Sequence, residues 1–103
     1  MSRYKPNGTP LTDHEREILV ILMEECAEVA HRVSKALRFG LEEVQPGQTL
    51  TNAERIQSEL NDVSGVLLLI RREGILSVED DDAFYAARDA KIAKIKEYLA
   101  FSA

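Results

Sequence analysis

Apolar residues recur every three or four positions along three stretches of this chain, and nowhere do they alternate with period two for long. That pattern predicts an all-α fold. The first stretch carries Ile18, Leu22, Cys26, Val29, Val33 and Leu37 as its apolar arc. Thr12-Asp13-His14-Glu15 reads as a capping box, with Thr12 as cap and Glu15 reaching back to its amide. The spacing predicts a helix from about Asp13 to Phe39, stopped by Gly40. Thr51-Asn52-Ala53-Glu54 is a second capping box. It opens a helix that runs to about Glu73, ends at Gly74, and carries Ile56, Leu60, Val63, Val66, Leu67 and Ile70 on one side. Between the two, Pro46-Gly47 marks a turn, with room for a short helical turn over Leu41 to Val44. Ser77-Val78-Glu79-Asp80 resembles a third start signal, for a helix over about Asp81 to Ala100 with Phe84, Ala87, Ile92, Ile95 and Leu99 on one side. Met1 to Pro10 has no periodicity and holds Pro6, Gly8 and Pro10. Residues 1–11 therefore read as a flexible N-terminal arm, ordered when a partner holds it, and 12–103 as one helical domain.

At ~1.5 Å per residue the first helix would be roughly 40 Å long and the second roughly 33 Å. The expected architecture is an antiparallel helical hairpin plus a C-terminal helix. Three such helices in so short a chain enclose a thin core. Val20, Met23, Ala27 and Ala30 widen the apolar arc of the first helix beyond a single stripe. More surface asks for burial than one protomer covers, so the pattern predicts a homodimer or homotetramer that completes a four-helix-bundle-like core.

Composition narrows the function. No apolar run approaches membrane-spanning length; the longest covers Ile18 to Met23. The N-terminus lacks an apolar signal core, which predicts a cytoplasmic protein. Cys26 has no second cysteine to pair with and reads as a small buried hydrophobe. The net charge is −5 without a basic stripe, which argues against a nucleic-acid polymer as partner.

The acidity is concentrated. Glu25 and Glu28 stand at i and i+3 on the first helix, and Glu59 and Asp62 do so on the second. This spacing brings each pair to one face, one turn apart. On a helical wheel Val63 lies roughly 40° to one side of Glu59 and Val66 roughly 20° to the other, so Glu59 lies amid aliphatics. A carboxylate there is costly unless it is paired or metal-bound. Four carboxylates on two antiparallel helices form a candidate cage for a hard divalent cation. The ordinary alternatives are solvated glutamates, which suits Glu24, and ion pairs of the acids with Arg32 or Lys35. Lys91 shares a side of the last helix with Phe84 and Ile95, where it could meet the carboxylates or a phosphate, or simply snorkel to solvent. Lys35 and Arg38 could meet distal phosphates or complement the helix dipole. Phe39, Phe84 and Tyr85 could stack on a base or serve as core. Glu28-Val29-Ala30-His31 matches the Glu-x-x-His of di-iron bundles, but the second helix offers Glu-x-x-Asp. An all-oxygen set favours Mg²⁺ or Mn²⁺ over iron.

Glu24-Glu25-Cys26-Ala27-Glu28, Lys35 and Arg38-Phe39-Gly40, followed by Glu59-Leu60-Asn61-Asp62, resemble the MazG-like all-α nucleoside triphosphate pyrophosphohydrolase superfamily. The match covers roughly residues 15–72. The resemblance implies Mg²⁺-dependent cleavage of a nucleoside triphosphate between its α and β phosphates, giving monophosphate and pyrophosphate. Carried over by position, Glu25, Glu28, Glu59 and Asp62 would hold metal, and Glu24 would orient the attacking water. Lys35 and Arg38, with Lys91, would meet phosphates, and the enzyme would be a dimer or tetramer. In-line attack by a water of lowered pKa needs chiefly positioning and charge neutralisation. The 30 residues between Glu28 and Glu59 are a long interval for compact members and could shape a base pocket. The alternative function is a non-catalytic helical oligomer, regulatory or partner-binding, that keeps the cage.

Overall fold

Local signals act where the sequence puts them. The computed structural model describes residues 5–76 and 80–99 of the chain, and its helices are α1 (Asp13–Phe39), α2 (Asn52–Glu73) and α3 (Asp81–Tyr98). Thr12 accepts from the Glu15 amide while Glu15 accepts from the Thr12 amide, and Thr51 and Glu54 do the same for α2. Each box satisfies two amides that an open helix start would leave unpaired. Gly74 ends α2 in the left-handed region at φ 62°, where a Cβ would be strained. Asp80 caps α3 by accepting from the Ala83 amide at 2.8 Å. The expected start at Ser77 to Glu79 lies outside the described residues, as does the expected last helical residue, Ala100.

α1 and α2 pack as an antiparallel hairpin. Ile18 near the start of α1 meets Ile70 near the end of α2, with Ile75 beyond it; Leu11, Leu19, Leu22 and Val66 pack around them. His14 reaches Glu73 across the same end at 3.0 Å. At the other end Asn52, 2% exposed, donates from Nδ2 to the carbonyl of Gly40 at 2.9 Å.

The inward face of α1 differs from the expected apolar arc. It runs through Ile18, Leu22, Glu25, Val29, Arg32 and Ala36, in alternating steps of four and three. The facing seam of α2 uses the same steps: Asn52, Ile56, Glu59, Val63, Val66 and Ile70. Cys26 and Val33 are exposed instead, and Leu37 is 84% exposed. Ala36 lies in line with Ile18 on a straight helix, whereas Leu37 has drifted about 100° around it. Following apolar residues alone walks off the face, because two of its positions are charged. On α2, Leu60 and Leu67 likewise lie outside the seam.

The connection is not helical at Leu41–Val44. It makes a turn, and Val44 then forms an isolated antiparallel bridge with Thr51. Pro46 and Gly47 (φ 79°) occupy the middle of a second turn, closed by the Gln48 amide on the Gln45 carbonyl at 3.0 Å. The amides of Asn52 and Ala53 bond to the carbonyls of Glu43 and Leu41, which fastens the loop to the start of α2. The segment 5–11, read from sequence as part of an arm, meets the hairpin at its two ends, Lys5 and Leu11, while residues 6–10 are exposed. Lys5 Nζ contacts Glu15 Oε2 at 2.8 Å, both side chains are largely buried, and Leu11 joins the core.

α3 packs on neither helix of the hairpin. Its one recorded link among the described residues is Arg71, which contacts Asp81 at 3.2 Å and lies 4.5 Å from the centroid of Phe84. Phe84, Ile92, Ile95 and Leu99 are all exposed. No described helix is long and apolar enough to cross a membrane.

Ile70→Ala is expected to lower the unfolding free energy by roughly 2–5 kcal/mol, because it empties the Ile18–Ile75 contact. Urea denaturation reads this directly, and an unchanged midpoint would remove Ile70 from the core.

Candidate metal centre

The hairpin register sets Glu25 opposite the Glu59–Asp62 turn. One carboxylate oxygen from each of Glu25, Glu59 and Asp62 lies within 4.8 Å of the others. Glu25 and Glu59 are half-buried between the helices, and Asp62 is exposed at the edge. The cluster is thus open to solvent on one side. Its donors are hard oxygens only, which fits Mg²⁺ or Mn²⁺ and gives a softer ion no thiolate or imidazole.

Charge crowding marks the site. The Glu25 carboxyl is held above its ordinary range. Desolvation between the helices is the largest cause, followed by hydrogen bonding with Glu59 and the negative charges of Asp62, Glu59 and Glu28.

The remaining expected residues are placed differently. Glu28 lies one turn beyond Glu25 and contributes to its field, but its carboxylate points to Arg32, 3.5 Å away. The ion-pair alternative is therefore realised for this one acid. Glu24 is exposed and lines a shallow surface cleft with Arg16, Glu17, Val20 and Ile21, apart from the three-carboxylate group. Lys35 and Arg38 both lean on the Phe39 ring, at 5.7 and 5.0 Å from its centroid, and so gather at the end of α1. Lys91 sits on α3, which does not pack on the hairpin, so a single chain does not deliver it to the carboxylates. Tyr85 meets Phe84 edge to face at 5.5 Å and stacks with Arg88.

Arg32, expected only as an ion-pair partner of the acids, also occupies an inward position of the α1 seam, with a side chain only 21% exposed. The alternation of four and three from Ile18 to Ala36 was the available signal, provided charged residues were allowed to occupy it. Comparison with protein-family models, with curated proteins and with solved structures returns no match for this chain.

The raised Glu25 carboxyl has a pH consequence. Without a divalent cation, in the pH window just above the ordinary carboxyl range, the folded protein holds more proton at Glu25 than the unfolded chain does. Folding then takes up a proton, and this contribution to stability is lost as pH rises from the unfolded carboxyl range through the raised folded value. Glu25→Gln cannot ionise. It is expected to be more stable than wild type at about pH 7 in chelator, with the difference vanishing below about pH 4. Paired urea titrations at the two pH values check this. A variant less stable at neutral pH would mean that the Glu25 charge is favourably paired.

Proposed function

We propose that this chain is a divalent-cation-dependent nucleoside triphosphate pyrophosphohydrolase that cleaves between the α and β phosphates to give a monophosphate and pyrophosphate. The observation that carries the reading is the convergence of Glu25, Glu59 and Asp62 from two helices onto one oxygen-only cluster. The resemblance of the acidic motifs to the MazG-like superfamily supports it in the same residues. Mg²⁺ or Mn²⁺ held by these carboxylates would neutralise triphosphate charge and acidify the attacking water.

The chain's own residues have separable tasks. Glu25 and Glu59 present their carboxylates from facing helices, so the rigidity of the hairpin sets their separation. Partial burial makes their uncompensated charge costly, which raises the affinity of the pair for a cation. Asp62, at the exposed edge, leaves the cluster open toward a phosphate in solvent. Glu28 stands one turn away as a further acid, currently turned to Arg32. No protein nucleophile is called for, because hydrolysis uses water.

Assembly belongs to the same proposal. Val20, Met23, Leu60, Leu67 and Leu68 on the hairpin, with the apolar residues of α3, are exposed in one chain. A homodimer or homotetramer would cover them and could bring Lys91 of α3 to a site. The competing reading is a non-catalytic oligomer that retains the cage, and the unpacked α3 favours it as a partner-binding element.

Glu59→Ala and Asp62→Ala are each expected to abolish Mg²⁺-dependent pyrophosphate release from NTPs or dNTPs while leaving helical circular dichroism intact. Full activity in Glu59→Ala would overturn the site. Calorimetric Mg²⁺ binding by wild type, without turnover of any nucleotide, would favour the non-catalytic oligomer.

A further inference from the structure

Arg32 carries a hydrogen-bonding capacity that the fold leaves unused. Its side chain enters the α1–α2 seam two turns beyond Glu25 and one turn beyond Glu28. The Nε atom is buried and has no hydrogen-bond partner among the described residues. The terminal nitrogen reaches Glu28 Oε2 only at 3.5 Å, well beyond the usual charge-assisted distance of about 2.7–2.9 Å. Side chains on a helix tilt toward its N-terminus, so Arg32 leans back toward Glu28 and the carboxylate cluster.

A guanidinium presents its Nε–H and a terminal N–H as a fork that matches two oxygens of one phosphate. Among the described residues the Nε arm of that fork is empty but shielded from solvent, and the other arm is held by a long contact, so a phosphate engages the fork once Arg32 swings away from Glu28. The position also suits a chain of phosphates. Two helical turns place the Arg32 backbone ~10 Å from that of Glu25 along the axis, and the tilt of the side chain shortens the gap. Lys35 and Arg38 lie further along α1 and are engaged with Phe39. Among the described residues of α1, Arg32 is thus the cation that is both inward-facing and nearest the acids.

We propose that Arg32 is the anion-binding residue of this site, its guanidinium fork taking a phosphate group of a polyphosphate ligand. This rests on the function proposed above, since it places the substrate's phosphates along the α1 seam. Anion binding would also draw Arg32 off Glu28 and return that carboxylate to the acidic face.

The test uses the full chain with inorganic tripolyphosphate as probe, in the presence of Mg²⁺, read by titration calorimetry. Arg32→Gln is expected to weaken tripolyphosphate binding by roughly tenfold or more. Binding of Mg²⁺ alone and helical content should stay as in wild type. Arg32→Lys keeps the charge but loses the fork, and is expected to recover only part of the affinity. Wild-type affinity in Arg32→Gln would overturn the proposal, as would parallel loss of Mg²⁺ binding and helicity in both variants. If Arg32→Gln alone fails to fold, Arg32→Lys decides: affinity equal to wild type overturns the fork. Absence of tripolyphosphate binding by wild type would overturn it too. The enzymatic reading fails separately. Arg32-dependent tripolyphosphate binding without hydrolysis of any nucleotide would leave the anion site standing and remove the pyrophosphohydrolase. Hydrolysis that is indifferent to Arg32 would do the reverse.

Discussion

The hairpin and its candidate site depend on the seam between α1 and α2. Its two faces share one alternation of four- and three-residue steps, so the helices can lie side by side along their length. The seam is apolar at one end, where Ile18, Ile70 and Ile75 meet, and is fastened at the other by Asn52 on the Gly40 carbonyl. Between these ends it carries Glu25, Glu59 and Arg32. A hydrophobic seam would have been more stable with aliphatics there. The hairpin therefore holds like charges together by anchoring both ends, and the middle is where a cation and an anion have most to gain by binding.

The same arrangement gives the site its rigidity. The acids are not on loops, and both helices of the hairpin start with a complete capping box and stop at a glycine. The connection is tied back to α2 by the Asn52 and Ala53 amides, and the N-terminal segment is tied to α1 by Lys5 on Glu15. Glu15 thereby serves twice, as capping-box acceptor and as ion-pair partner. Its carboxyl is held below the ordinary range, first by the Lys5 hydrogen bond and then by the Thr12 amide. The two seam ends thus carry well-satisfied polar groups, while the centre carries one, Arg32 Nε, without a partner among the described residues.

α3 stands in a different relation to the rest. It has a capped start and a sequence-legible apolar side, yet that side faces solvent. Among the described residues its tie to the hairpin is a single arginine, Arg71, that holds Asp81 and covers Phe84. A helix is stabilised mainly by what its apolar face packs on, so α3 is the element whose stability is least accounted for within one chain.

Helix identity and helix ends were legible in the sequence, because caps are contacts over three or four residues and do not depend on the rest of the chain. Thr12, Thr51, Gly40 and Gly74 all act as their local pattern indicates. The pairing of Glu25 with Glu59 and Asp62 was legible too, since antiparallel helices with i, i+3 acids leave few other arrangements. What the sequence did not determine was rotation. Cys26, Val33 and Leu37 look inward by composition, but the inward line passes through Glu25, Arg32 and Ala36. Only the tertiary structure decided this, because which face of a helix is buried depends on the partner it pairs with. For the same reason it alone separated Glu28 from the other acids, turned Lys35 and Arg38 to Phe39, and left Lys91 on a helix apart.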